Sequence, residues 1–306
     1  AIIMVPAAAP RLLALCECGQ PHESGGELWP SSGCDICSKV SDDGGAPWSP
    51  LRVVIKNSSQ PSPVYDAARG AVVLNFNGAP HCDGCGFNQA MASHDGGETW
   101  GAPRALDGFL GDKGHAAAGP GRGLALTMGL HRGRLLFIGH RGAYVEDSVW
   151  FTDDGGLTYG TSSALLEKMD EAQLVENQDG LLIANMRHHD APTKGRAIAT
   201  STDGGATFSN ITYDPTLVSP VCQASIIRSA QNSQIYFANP ATTNSRAVGK
   251  VRRSPTGLPG SWEATLNVTD GSFAYSCLTD VPQSGMLGLL WERSGSIVFS
   301  TFPLDF

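Results

Sequence analysis

An all-β propeller is the fold class this sequence predicts, and two observations carry the expectation. The first is a short phrase that returns along the chain. Residues 93–100 read Ser-His-Asp-Gly-Gly-Glu-Thr-Trp, residues 152–159 Thr-Asp-Asp-Gly-Gly-Leu-Thr-Tyr, and residues 201–208 Ser-Thr-Asp-Gly-Gly-Ala-Thr-Phe. A worn copy, with Pro47 in place of Thr, stands at 41–48, and a more worn one runs from Ser254 to Trp262. The shared aspartates are Asp43, Asp95, Asp154 and Asp203, a period of about 50 residues that suits four-stranded blades. The phrase encodes a tight hairpin. Its Asp accepts hydrogen bonds from turn amides and its Gly pair takes positive φ. Its Thr suits a strand, and its aromatic residue anchors a packed layer. Such an Asp marks a fold and holds a turn rather than performing chemistry. The second observation is composition: 37 Gly and 19 Pro in 306 residues fit many short strands joined by turns. One β domain spanning residues 1–306 accounts for the length.

A net charge of −8 argues against a nucleic-acid partner. No apolar run is long enough to cross a membrane as a helix. The opening stretch Ala1–Ala9 is apolar without a basic lead and is not read as a signal peptide. The eight cysteines and the sequons at Asn57, Asn210 and Asn267 point to a secreted, extracellular or lumenal glycoprotein. Cys34/Cys37 and Cys82/Cys85 have zinc-ligand spacing, but disulfides or plain thiols are the favoured reading. No metal or cofactor is expected, and nothing demands an oligomer, so a monomer is expected.

Taken in order, Met4–Pro6 and Leu12–Glu17 read as two short strands around a turn, followed by a polar, Gly-rich loop over 19–34. Gln60–Asp66 leads into a buried strand at 71–76. Gly119-Pro-Gly-Arg-Gly123 precedes strands at 124–126 and 133–138, its glycines allowing close backbone approach. Met169–Glu176 is followed by Asp179-Gly and a strand ending Asn185-Met-Arg187. Pro220-Val-Cys-Gln, Phe237-Ala-Asn-Pro240, Ser245-Arg246 and Ala274-Tyr-Ser276 come next, before final strands at 286–292 and 295–302. Pairing of the N-terminal strand at closure is expected to remove the free edge.

These segments, in this order, resemble the sialidases with their Asp-box (BNR) repeats, most strongly from about residue 60 onward. The resemblance implies a six-bladed β-propeller of the sialidase type and an exo-sialidase-like glycosidase acting on sialylated glycans or glycoconjugates. It implies Tyr275 as nucleophile, Glu171 as its base, and Arg187 and Arg246 as binders of the substrate carboxylate. Three of them have a plainer structural reading: a loop Glu for Glu171, a strand-end Arg for Arg187 and a core aromatic for Tyr275. The chemistry suits the set. Guanidinium forks pair bidentately with a carboxylate. A neutral Tyr nucleophile avoids repulsion by the substrate's own charge, and it needs a neighbouring base and cations. Two departures stand out. The resemblance implies an arginine where Met4 stands and another near Gln20, with Arg11 nearby read as a surface charge. The acid/base Asp it implies near Pro30 is missing, leaving Glu27 as the candidate acid, with Glu23 and Asp35 beside it. A missing acid typically costs 10²–10⁴-fold in rate. A sialic-acid lectin derived from a sialidase is therefore the alternative, and a propeller used only for protein interaction is a third.

Overall fold

The computed structural model describes residues 1–6, 10–19, 34–78, 88–110, 116–141, 145–163 and 166–306, without the side chains of Asp107 and Pro192. Six antiparallel sheets follow one another along the chain as the blades of a β-propeller. Blade 1 holds β1 (Ile2–Val5), β2 (Arg11–Cys18), β3 (Asp35–Ser41) and β4 (Arg52–Ile55). Blade 2 holds β5 (Ser59–Asp66), β6 (Ala71–Asn77), β7 (Asn88–Ser93) and β8 (Arg104–Ala105), and a helical turn α1 (Asp107–Leu110) leads out of it. Blade 3 has a split inner strand, β9 (Ala117–Ala118) and β10 (Leu124–Ala125), then β11 (Leu135–Arg141) and β12 (Glu146–Thr152). Its outer edge is also split, into β13 (Gly160–Thr161) and β14 (Leu166–Glu167). Blade 4 is β15 (Asp170–Glu176), β16 (Leu182–Arg187), β17 (Arg196–Ser201) and β18 (Thr212–Asp214), with α2 (Ala191–Lys194) inserted before β17. Blade 5 is β19 (Ser225–Arg228), β20 (Ile235–Pro240), β21 (Ala247–Ser254) and β22 (Ala264–Ser272). Blade 6 has three strands, β23 (Ser276–Val281), β24 (Met286–Arg293) and β25 (Ser296–Pro303).

Side chains alternate across each strand, so every blade feeds two seams. In β2, Leu12 faces blade 6 while Leu13 and Leu15 face blade 2. The six apolar clusters are the six seams of the ring. Five seams receive one aromatic residue from a copy of the repeated phrase: Trp48, Trp100, Tyr159, Phe208 and Trp262. The sixth, between blades 5 and 6, is filled instead by Phe273, Trp291, Phe302 and Phe306.

Closure differs from the sequence expectation. β1 completes blade 1 and packs beside β23, but it joins no ladder of blade 6, so β25 remains an outer edge. The seam between first and last blades is apolar, with Ile2 and Leu12 against Cys277 and Val281.

The hairpins form as their composition requires. In the copy at 93–100, Thr99 donates through its hydroxyl to Asp95 Oδ2 at 2.5 Å and through its N–H to Oδ1 at 2.9 Å. Gly97 N–H donates to Ser93 Oγ at 2.8 Å. The same bonds recur around Asp154 and Asp203. Thr therefore closes the turn on the Asp, where the sequence suggested a strand residue. The second glycine is required twice over. Gly97 has φ +93° and Gly205 +88°, and a Cβ would meet Leu13 at 2.8 Å and Leu136 at 2.5 Å, each on the preceding blade. Arg11, expected as a surface charge, is half-buried and also bridges two blades. It pairs with Asp42 of its own blade at 2.6 Å and Glu98 of the next hairpin at 2.8 Å.

Cys18 and Cys37 form a disulfide between β2 and β3. Cys37 is thereby removed from any thiolate set with Cys34, and Cys82 and Cys85 lie outside the described residues. No cluster of potential metal ligands occurs among the described residues. Cys34 is a buried thiol whose pKa is pushed up to about 12, chiefly by burial.

Candidate active site

Third strands β3, β7, β12 and β17 end at Ser41, Ser93, Thr152 and Ser201, the first residues of their hairpins, so the hairpins share one face of the ring. The opposite face gathers the starts of the inner strands and the ends of the second strands. Arg187 ends β16 there and pairs with Asp170, which opens β15.

The ladder breaks at this point. Asp170 is opposite Arg187 and Ala172 opposite Met186, so Glu171 is an extra residue in a bulge. In a regular strand adjacent side chains point to opposite faces. The bulge instead turns both carboxylates onto one guanidinium. Arg187 Nη1 donates to Glu171 Oε2 at 2.5 Å, and Nε pairs with Asp170 Oδ2 at 3.0 Å. All three residues are buried.

Tyr275 completes the cluster from blade 6. Its hydroxyl donates to Glu171 Oε1, and Arg187 Nη1 approaches the same hydroxyl at 3.2 Å. Arg246, just ahead of β21, sets its guanidinium 5.2 Å from the centre of the Tyr275 ring. The four residues expected from sequence are thus together, drawn from blades 4, 5 and 6. Burial raises the Glu171 pKa above the usual carboxylate range, with Arg187 opposing it and Asp170 adding to it. For Arg187, burial works against the charge, but Glu171 and Asp170 outweigh it and raise the pKa. Arg246 shows the same balance, with burial opposed by Cys222 and Tyr275.

Residues 31–289 match the BNR repeat-like domain family. The chain belongs to the sialidase family with BNR repeats. It is 33% identical over 306 aligned positions to a sialidase of Micromonospora viridifaciens, covering 88% of this chain and 46% of that protein. It therefore spans less than half the length of that curated relative. A Hadza microbial sialidase superposes with a TM-score of 0.84 at 23% identity, over 99% of this chain and 65% of that one. The leech intramolecular trans-sialidase, in complex with 2,7-anhydro-Neu5Ac, gives 0.84 at 18% identity, over 100% of this chain and 68% of that one. At these identities the superpositions carry the fold.

Other expected positions of this sialidase-family chain fall elsewhere. Glu27, Glu23 and Gln20 lie outside the described residues. Asp35 opens β3, and its Oδ1 accepts the Asn57 N–H at 2.9 Å, a turn-holding role. Met4, where an arginine was expected, pairs with Leu12, which pairs with Ser41 at the hairpin end of blade 1. The matching level in blade 4 is Glu176–Leu182–Ser201, far down the strand from Asp170 and Arg187. Met4 packs into the seam between blades 6 and 1. The end of this strand that faces the cluster is its start, at Ala1 and Ile2, so Met4 is not the arginine's place.

Sequence reading missed Asp170 and Asp147. Asp170 adjoins Glu171, but only the bulge puts both carboxylates on Arg187. Asp147, on β12, is wholly buried, and neither oxygen has a hydrogen-bond partner among the described residues. Its pKa is raised well above the ordinary value by burial first and Asp170 second, with Arg196 opposing. Two adjacent carboxylates opening a strand that continues into Val-Trp-Phe, Glu146-Asp-Ser-Val-Trp150, were the available signal.

Proposed function

We propose that this chain is the catalytic propeller of an exo-sialidase-like glycoside hydrolase. It releases terminal sialic (ulosonic) acid from sialylated glycans or glycoconjugates with retention of configuration. The observation that carries the reading is the hydrogen bond from the Tyr275 hydroxyl to Glu171, with Arg187 touching both.

An unperturbed phenol, with pKa about 10, is a poor nucleophile at neutral pH. A buried carboxylate with a raised pKa is a stronger proton acceptor, and Glu171 is in hydrogen-bond contact with the phenol. As the phenol oxygen bonds to the anomeric carbon, its proton passes to Glu171 and the glycosidic C–O bond breaks. The leaving oxygen takes a proton from an acid, for which Glu27 is the candidate. Water then attacks the anomeric carbon and gives its proton to the carboxylate left by that acid, the bond to Tyr275 breaks, and Glu171 returns its proton to the phenolate. Arg187 and Arg246 hold the substrate carboxylate and offset the phenolate charge.

On the same reading residues 1–306 act as one propeller unit, as a secreted monomer. The exposure of Asn57, Asn210 and Asn267 is compatible with glycosylation. Hydrolysis of a fluorogenic sialoside, run beside Tyr275→Phe, tests the mechanism. Turnover lost in the variant supports it, and equal turnover in both sinks the Tyr nucleophile. Saturable sialic-acid binding without turnover in the wild type would replace the enzyme with the lectin.

A further inference from the structure

We propose that Gln223 is the positioning residue that fixes the Tyr275 hydroxyl against Glu171, an inference that rests on Tyr275 as nucleophile. Tyr275 lies in the link 273–275 between β22 and β23, outside any strand. It stands one residue beyond the β23–β24 ladder, and its backbone is held from two sides. On one side Glu292 N–H donates to the Tyr275 carbonyl at 2.9 Å, and the Tyr275 N–H donates to Glu292 Oε2 at 3.3 Å.

On the other side stands Gln223. Ser276, the next residue, opens β23 and pairs with Trp291 of β24. β23 is an inner strand, so its axis-facing edge has no partner strand. The Gln223 side chain supplies one. Ser276 N–H donates to Gln223 Oε1 at 2.9 Å, and Gln223 Nε2 donates to the Ser276 carbonyl at 2.9 Å. A side-chain amide carries the same donor and acceptor as a peptide, so it acts as a strand one residue long. Gln223 is itself buried, and Nε2 also reaches the Pro120 carbonyl of blade 3 at 3.3 Å. The clamp thus ties Tyr275 of blade 6 to blades 5 and 3, while Glu171 is held on blade 4.

A second bridge with the same chemistry lies deeper. Gln173 Oε1 accepts from Ser225 Oγ and from Ile226 N–H, each at 3.1 Å, and Ser225 Oγ accepts the Leu278 N–H at 2.9 Å. It joins blades 4, 5 and 6 but touches nothing at Tyr275, which makes it the control.

The experiment measures kcat, KM and Tm for wild type, Tyr275→Phe, Gln223→Leu and Ser225→Ala on a fluorogenic sialoside. Misplacement by about 1 Å can cost about 10²-fold. Gln223→Leu is expected to lower kcat about 10–100-fold, with KM nearly unchanged because the carboxylate-binding arginines stay in place. Ser225→Ala is expected to lower Tm while leaving kcat within about threefold. If Gln223→Leu does not fold, Gln223→Glu keeps the acceptor for Ser276 N–H, loses the amide donor, and is expected to lower kcat in the same way. Wild-type kcat in the Gln223 variant that folds overturns the clamp. So does an equal loss of kcat in Ser225→Ala at matched Tm. A wild type without turnover, or a fully active Tyr275→Phe, overturns the reading of function first and the clamp with it.

Discussion

The hairpins on one face of the ring and the cluster on the other both gather polar groups around carboxylates, in opposite electrostatic settings. Asp95, Asp154 and Asp203 are held by neutral Thr, Ser and backbone donors near water. Burial opposes their charge, but the hydrogen bonds outweigh it and bring each pKa to about 2. Asp170, Glu171 and Asp147 are buried, and among the described residues only the first two pair with an arginine, Arg187 in both cases. Glu171 and Asp147 are raised rather than lowered. The hairpins use carboxylates to hold turns, whereas burial in the cluster keeps Glu171 and Asp147 basic.

Arg187→Leu should break the difference most severely. It leaves two buried carboxylates side by side, a loss of about 3–5 kcal/mol for a buried pair cut at one end. Urea unfolding should show that loss at neutral pH, and sialoside binding should disappear. Retained affinity would remove Arg187 from the pocket.

The pH dependence should separate the faces by sign. A lowered carboxyl pKa means the folded state prefers the ion. The hairpin contribution is therefore full above the unfolded pKa, about 4, and drains as pH falls through about 2. A raised pKa means the folded state prefers the proton. The contribution of Glu171 and Asp147 is full below about 4 and is lost as pH rises through their folded values. Asp147→Asn should accordingly gain stability relative to wild type as pH rises above about 4. Urea midpoints across that range check it, and a constant difference would mean that Asp147 is an ordinary ionised carboxylate.

The two faces also differ in how far they could be read from the sequence. The hairpins repeat, and their spacing gave the blades, because each must solve the same local problem of turn donors and positive φ. The site does not repeat. Glu171, Arg187, Arg246 and Tyr275 were found through order and resemblance, and the structure brings them together. Asp170 was missed because a bulge, not a sequence period, aims it. Met4 was misplaced because a short motif fixes residue order but not the level along a strand, which only the pairing with Leu12 reveals. Met4→Arg should therefore bring no gain in turnover. Overpacking the seam between blades 6 and 1, together with the added charge, should cost about 1–3 kcal/mol. A rise in kcat would return position 4 to the site.

The finest test lies within the hairpins. Asp95→Ala removes the acceptor of the Thr99 hydroxyl and N–H and should cost about 1 kcal/mol, for hydrogen bonds close to water. Asp43 stands at the same point of the worn hairpin, but Pro47 has neither an N–H nor a hydroxyl to offer it. Its carboxylate accepts no hydrogen bond among the described residues, and the turn is held by Ser41 Oγ, which accepts from Gly45 N–H at 3.0 Å, and by the aromatic anchor Trp48. Asp43→Ala should thus change stability by less than about 0.5 kcal/mol. Equal losses at Asp43 and Asp95 would mean that the aspartate acts through charge alone. Unequal losses assign the stabilisation to the Thr donors, and they explain how Pro47 could enter the hairpin without unfolding the blade.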